Sequence, residues 1–243
     1  MKKRLDLILV ERGLAPSRER AQALILSGNV LVEDTPAVKA GQNYDATIAI
    51  RIRGEDHPYV SRGGVKLAAA LDHFKVAVQN RTALDIGAST GGFSHALLLR
   101  NVKKVFALDV GHNQLDWKIR TDPRVVVFEK VNARNLEYAV IGEKVDLIVM
   151  DVSFISITKI LPALRQFSHS ETDWITLIKP QFEVGREKVG KGGIVTNETD
   201  RIEAVRTVTE ASETLGLRRV DLIESPITGT DGNKEFLAHW KLV

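Results

Sequence analysis

A mostly parallel α/β sheet preceded by a small α+β module is the fold class that this 243-residue sequence predicts. Beyond Arg81, short continuous apolar runs alternate with helical stretches, the pattern of strands buried on both faces of a parallel sheet. The first sixty residues instead combine two short helical patterns with strands. Between these regions, Arg53 to Gly64 carries Gly54, Glu55, Asp56, Pro58, Gly63 and Gly64 and reads as a linker. The expected domains are residues 1–59, with the linker reaching to about 64, and residues 60–243.

Each element has its own signal. Leu5 and Leu9, with a stop at Gly13-Leu14, predict a short first helix. Ser17, an N-cap residue type, opens a second with Ala21, Leu24 and Ile25 on its apolar side, and Gly28 ends it. Val30-Leu31-Val32 reads as a strand, with a turn at Glu33-Asp34. From Thr47 to Arg53 residues alternate strictly: Ile48, Ile50 and Ile52 on one face, Thr47, Ala49, Arg51 and Arg53 on the other. Buried strands are expected at Ala83–Ile86, Val105–Asp109, Val125–Phe128, Val145–Met150 and Trp174–Ile178. Helices are expected at Phe93–Arg100, Ile157–Phe167 and Arg201–Leu215, and Leu217–Ile223 with Glu235–Leu242 as an antiparallel edge.

Composition narrows the function classes. The chain has no cysteine, which excludes disulfide scaffolds, thiolate catalysis and Cys-ligated metal centres. The net charge is only +3, so any basic patch must be found locally. Met1-Lys2-Lys3-Arg4 before Leu5–Val10 imitates a signal peptide, but Asp6 and Glu11 interrupt the apolar run and no small-residue cleavage site follows. The most apolar stretch, Val145 to Ile157, contains Asp146 and Asp151 and is too short to span a bilayer. A soluble cytoplasmic protein without a membrane partner is expected. Its six histidines show no ligand spacing, so no metal site is expected.

Asp85-Ile86-Gly87-Ala88-Ser89-Thr90-Gly91-Gly92-Phe93 falls where the first parallel strand turns into its helix. Glycines there let backbone approach a ligand, and a helix start offers unpaired N–H groups. A dinucleotide fingerprint wants glycine at position 89, where this chain has Ser89, which argues against a pyrophosphate. Asp109, twenty-two residues past Gly87, ends the second strand, where a carboxylate accepts from ribose hydroxyls. A nucleoside cofactor without a diphosphate, such as S-adenosylmethionine, fits both features. The plainer alternative is a tight turn with Asp109 as a cap.

Asp151 and Lys179 each follow directly on a buried strand, where ligands bind in open parallel sheets. An ordinary ion pair at the sheet edge is the competing explanation. Lys66 by itself reads as a solvated lysine, and Glu235, heading the last strand, as unremarkable. Glu183 to Glu198 is a Gly- and Lys-rich loop whose Arg186, Lys188 and Lys191 either meet phosphates or are simply solvated.

Taken together, Ser61-Arg62, Lys66-Leu67, the glycine loop, Asp151-Val152-Ser153-Phe154-Ile155-Ser156, Lys179-Pro180-Gln181-Phe182-Glu183 and Lys191-Gly192-Gly193 resemble the TlyA (haemolysin A) family of ribosomal RNA 2′-O-methyltransferases, within the FtsJ type. Arg4-Leu5-Asp6, Gly13-Leu14-Ala15, Ser17-Arg18, Ala21, Leu24-Ile25, Gly28, Val30 and Val32 resemble the alpha-L RNA-binding domain of a small-subunit ribosomal protein. The resemblance covers essentially the whole chain and implies a Rossmann-like methyltransferase domain whose last strand is antiparallel.

It also implies a catalytic tetrad of Lys66, Asp151, Lys179 and Glu235. Asp85, Gly87, Ala88, Ser89, Gly91, Gly92, Phe93, Asp109, Asn132, Ala133 and Asp151 would contact S-adenosylmethionine. Arg4, Arg18 and Arg20 would contact RNA; the first twenty residues hold six basic against three acidic side chains. Ribosomal RNA within ribosomal subunits is the implied partner, a cytidine the implied target, and a monomer the default state. Competing functions are a non-catalytic RNA-binding or ribosome-assembly factor, a membrane-lytic haemolysin, and an NAD-dependent oxidoreductase, which Ser89 discourages.

Overall fold

In the computed structural model, which describes residues 2–52, 57–229 and 231–243, Ser17 caps its helix as its residue type dictates. Its hydroxyl accepts the Arg20 amide at 3.2 Å. The chain divides into two compact units, Met1–His57 and Pro58–Val243. The linker residues 53–56 lie outside the described ones.

The amino-terminal unit runs β1 (Lys2–Arg4), α1 (Leu5–Glu11), α2 (Arg18–Leu26), β2 (Val30–Val32), β3 (Thr35–Pro36), β4 (Asn43–Asp45) and β5 (Ile50–Ile52). Leu5, Leu9, Ala21, Leu24, Ile25, Val30 and Val32 form its core. Three strands have no sequence signal: β1 and β4, which pair antiparallel with each other, and β3, which pairs with β2. The expected 47–53 strand is shorter, because the Asp45 carboxylate takes the Thr47 amide and hydroxyl in a local turn before β5 begins. Its alternation survives as burial, with Ile48, Ile50 and Ile52 packed inward; Arg53 lies outside the described residues. Glu33 and Asp34, at φ of 49° and 63°, turn β2 back into β3 with both central residues left-handed, as a tight hairpin requires.

The larger unit runs α3 (Gly63–Phe74), β6 (Thr82–Ile86), α4 (Gly92–Leu98), β7 (Lys104–Asp109), α5 (Trp117–Arg120), β8 (Val125–Glu129), α6 (Tyr138–Ile141), β9 (Val145–Met150), α7 (Leu161–Leu164), β10 (Ser168–Ile178), α8 (Pro180–Glu183), α9 (Glu198–Glu213), β11 (Leu217–Glu224) and β12 (Phe236–Leu242). The seven-stranded sheet has the order β11-β12-β10-β9-β6-β7-β8. Pairing is parallel from β10 to β8, and β12 runs antiparallel to both its neighbours. Alternate residues feed two cores. Leu84, Ile148, Met150 and Trp174 pack with Leu161, Leu164 and Val208 on one face. Ala83, Leu147, Val149 and Ile175 pack with Leu67, Leu71, Ala96 and Leu97 on the other.

Boundaries shift for local reasons. Gly63 and Gly64 form the first turn of α3 instead of a linker. The expected 157–167 helix is broken into α7 and two flanking 3₁₀ turns, with Pro162 in the first turn of α7. The strand expected from Trp174 begins earlier, at Ser168.

Toward the amino-terminal ends of the parallel strands, Asp173 is buried among His239 at 2.7 Å, Arg81 at 2.7 Å and Lys241 at 3.0 Å. Burial alone would raise its carboxyl, but these hydrogen bonds outweigh it and hold it well below the usual carboxylate range. A carboxyl whose folded pKa is depressed stabilises fully above its unfolded value of about 3.9 and loses that stabilisation as pH falls through the folded value. Wild type is therefore expected to lose urea resistance between about pH 5 and about pH 2 more steeply than Asp173→Asn. Parallel losses in the two proteins would contradict this.

Candidate active site

The sheet reverses its strand order at β6, which has β7 on one side and β9 on the other, and ligands bind at such a switch point beyond the carboxyl ends of the strands. The glycine loop lies there, between β6 and α4. Gly87, at φ +82°, is required by the protein itself: a Cβ would overlap the Asp151 carbonyl oxygen at the end of β9. At Gly92 a Cβ would strike the Ser61 hydroxyl, so the segment leading into α3 lies directly on the loop. These glycines lock the loop to neighbouring backbone as well as leaving room for a ligand.

Four charged side chains meet at the same rim. Lys66, one turn into α3, is buried and forms an ion pair with buried Glu235. The solvated reading of Lys66 is thus corrected, because α3 packs this face against the sheet. Lys179 Nζ lies 2.6 Å from Asp151 Oδ1, in ionic contact without hydrogen-bond alignment, and donates an aligned hydrogen bond to Ser153 Oγ at 2.8 Å. The topology brings the two pairs together. Ile178 faces Phe236 across the β10–β12 ladder, so the next step outward sets Lys179 opposite Glu235. Asp151 follows β9, the parallel neighbour of β10.

A cavity of about 460 Å³ opens beside Asp151, walled also by Gly87, Ser89, Asp109, Asn132 and Ala133; Lys66 and Glu235 do not line it. A smaller one of about 160 Å³ shares Gly87, Ser89, Asp151 and Ser153 with it and adds Ala88, Gly92, Phe93, Ser61 and Lys179. Asp109 is fixed by the Ser89 amide at 2.8 Å and the Gly111 amide at 2.7 Å. Its carboxylate lines the larger cavity at the end of β7, where ribose hydroxyls would meet it. The Asn132 side chain caps the following 3₁₀ turn by accepting the Arg134 amide at 3.0 Å. Volume, donor set and glycine backbone fit a nucleoside cofactor without a diphosphate.

Two expected cofactor contacts, Asp85 and Gly91, line neither cavity. Asp85 is fully buried beneath the loop, its Oδ2 accepting the Ser94 hydroxyl at 2.7 Å and its Oδ1 without a partner. Burial, reinforced by Asp151 and Asp109, pushes its carboxyl up to about 7. Gly91, left-handed at φ +93°, abuts Leu115 and Ile119 and starts α4, so its glycine serves packing. In the amino-terminal unit, Arg4 and Arg18 both bind the buried Asp6 carboxylate, at 2.8 Å and 3.0 Å, and their side chains stay 42% and 50% exposed. Hydrogen bonding from Arg4, opposed by burial and aided by Gln22 and Arg18, holds the Asp6 carboxyl well below its usual range. Arg20 donates to the His57 carbonyl at 2.7 Å. Lys188 is committed to Glu203 at 2.6 Å and Asp200, which removes it as a phosphate contact.

Ser61, Ser153 and Phe154 line the cavities and have no individual signal in the sequence. Ser153 and Phe154 stand in a motif that follows a strand-end aspartate, which is the only pointer to them. Phe154 is 92% exposed beside the cavity, with a left-handed backbone at φ 66°.

Strand order, switch-point cavity and the Ser89-containing loop define the larger unit as a Rossmann-like methyltransferase domain. Residues 59–242 match the FtsJ-like methyltransferase family and residues 3–46 match the S4 domain. The chain is 45% identical over 234 residues to the 16S/23S rRNA (cytidine-2′-O)-methyltransferase TlyA of Mycobacterium tuberculosis, covering 96% of this chain and 87% of that protein. It is 42% identical to Hemolysin A of Brachyspira hyodysenteriae, covering 98% of this chain and 99% of that protein. The solved structure of a candidate hemolysin from Streptococcus thermophilus shares 39% identity at a TM-score of 0.79, over 100% of this chain and 89% of that one. The chain belongs to the TlyA family of FtsJ-like methyltransferases. Among the described residues no helix is long and apolar enough to cross a membrane.

Proposed function

We propose that this protein methylates a cytidine ribose 2′-hydroxyl in ribosomal RNA, using S-adenosylmethionine, in the cytoplasm. The observation that carries the proposal is the convergence of Lys66–Glu235 and Lys179–Asp151 at one rim of the sheet, beside a nucleoside-sized cavity. When bound, the cofactor supplies an electrophilic methyl group on a sulfonium. Gly87, Ala88, Ser89, Gly92 and Phe93, which line the smaller cavity, would hold its methionine end, and Asp109, with Asn132 and Ala133, which line the larger, would hold its ribose and adenine.

A ribose hydroxyl is a weak acid and must shed its proton as it attacks. With its charge balanced by Asp151, Lys179 would donate an N–H to the 2′-oxygen and stabilise the negative charge that develops there. Asp151 orients Lys179 and the attacking oxygen, and its carboxylate, beside the ammonium, is the group that would take the hydroxyl proton. Lys66 and Glu235, balancing one another, fix the electrostatic setting of Lys179 from across the β10–β12 ladder. Alignment of oxygen, methyl and leaving sulfur supplies a large share of the rate.

The amino-terminal unit is proposed as the RNA-binding domain. Tyr59 packs on Gly64, and the Val60 amide donates to His95 Nδ1 at 3.0 Å, so both belong physically with the larger unit. A deletion should accordingly stop at His57. Such a variant is expected to bind cofactor unchanged while its RNA affinity falls at least about tenfold and loses part of its salt dependence. Equal RNA affinity with and without the unit would remove it from substrate recognition.

Mass mapping of ribose methylation in ribosomal RNA from cells with and without the protein tests the activity itself. One 2′-O-methylcytidine that disappears with the gene is the expected result. Identical maps, with altered subunit assembly, would point to a non-catalytic factor.

A further inference from the structure

One carboxylate beside the site has no part in either ion pair. Glu183 closes α8, four residues after Lys179, and reaches across to the loop that follows β9. Its Oε1 accepts the Ile157 amide at 2.9 Å and its Oε2 the Ser156 hydroxyl at 2.5 Å. We propose that Glu183 is a positioning residue for methyl transfer, fastening the far end of loop 151–156 so that Ser153 and Phe154 keep their places relative to the Lys179 ammonium. This rests on the reading of Lys179 as the catalytic group.

The geometry is that of a clasp. Lys179 and Glu183 stand at the two ends of a one-turn helix whose start is set by Pro180. Lys179 holds Ser153, near the beginning of the loop, and Glu183 holds Ser156, at its end. The beginning is also anchored in the sheet, where the Asp151 amide donates to the Ile86 carbonyl at 3.0 Å. Between these fixed points Phe154 adopts a left-handed backbone, which a phenylalanine keeps only when its surroundings impose it. Phe182, the residue before Glu183, lies against the Phe154 ring with centroids 5.4 Å apart. A single helical turn thus holds both the hydroxyl that orients Lys179 and the exposed ring at the cavity mouth.

Burial raises the Glu183 carboxyl above its ordinary range, against the pull of Ser156, the Ile157 amide and the nearby Lys159. A neutral isostere is therefore suited to the same place. In Glu183→Gln the amide oxygen still accepts from Ile157, while the amide nitrogen donates to the Ser156 hydroxyl, which can reverse its own hydrogen bond.

The test uses full-length protein with ribosomal RNA substrate and measures kcat, cofactor Kd, RNA KM and Tm. Glu183→Ala is expected to lower kcat between about 10- and 100-fold while raising cofactor Kd by no more than about threefold, since the loop also walls the larger cavity, and leaving RNA KM unchanged. Glu183→Gln is expected to recover most of kcat. Ser156→Ala, which cuts the same clasp from the loop side, should lower kcat in the same direction, and the double Ala variant should be no slower than Glu183→Ala alone. Wild-type kcat in Glu183→Ala, failure of Gln to rescue, or fully additive losses would each overturn the proposal. If Glu183→Ala does not fold, a wild-type kcat in Ser156→Ala overturns it and a selective loss of kcat supports it. Lys179→Ala in parallel separates the two readings. Turnover without Lys179 defeats the catalytic assignment, whereas an inactive Lys179→Ala beside a fully active Glu183→Ala defeats only the clasp.

Discussion

Lys179→Ala is expected to bind S-adenosylmethionine within about twofold of wild type and to transfer methyl groups about 10³-fold more slowly. The lysine lines the smaller cavity, whereas Asp109, Asn132 and Ala133 wall the larger one, so removal of its ammonium touches the reacting end of the site and spares the nucleoside end. Asp151 loses its ionic partner and Ser153 its donor. Both remain partly solvated, which limits the cost to folding. Calorimetry with cofactor and transfer of a labelled methyl group to ribosomal RNA measure the two quantities separately. Turnover near wild type would exclude any role for Lys179 in the chemical step, and loss of cofactor affinity would mean that it works in binding.

Glu235→Ala is expected to be the most destabilising change in the site. Lys66 and Glu235 are both nearly inaccessible, and removing one partner leaves an ion buried without compensation, at a cost of about 3–5 kcal/mol. Lys66→Met with Glu235→Leu, which removes both charges and keeps the volume, should recover much of that stability and none of the activity. Urea unfolding of the single and double variants measures this. If the double variant were no more stable than Glu235→Ala, lost packing and not a stranded charge would be the cause.

The larger unit was legible because its strands are short continuous apolar runs, and a run such as Val145–Met150 has few ways to be buried except between two helical layers. The position of β12 between β10 and β11 was not legible, since strand order depends on contacts distant in the chain. Lys66 and Glu235 illustrate the limit. Each is an ordinary surface residue type, and only packing of α3 against the end of β12 makes them a buried pair. Asp85 misled in the opposite direction: a carboxylate beside a glycine loop suggests ligand contact, yet side-chain alternation along β6 turns it under the sheet toward Ser94. In the amino-terminal unit the excess of arginines was visible, but not that Asp6 would gather two of them, because a three-residue edge strand and a helix start had first to be brought together.

The insertion of β12 between β10 and β11 has a consequence for synthesis. While the chain emerges, Lys66, Asp151 and Lys179 are made long before Glu235, and the sheet ends at β10 until the final strand docks, because β11 pairs with β12. Until it does, β10 exposes an unpaired edge and Lys66 has no counter-charge. The buried Lys66–Glu235 pair and the pairing of β10 with β12 are thus completed together, at the end of the chain's synthesis.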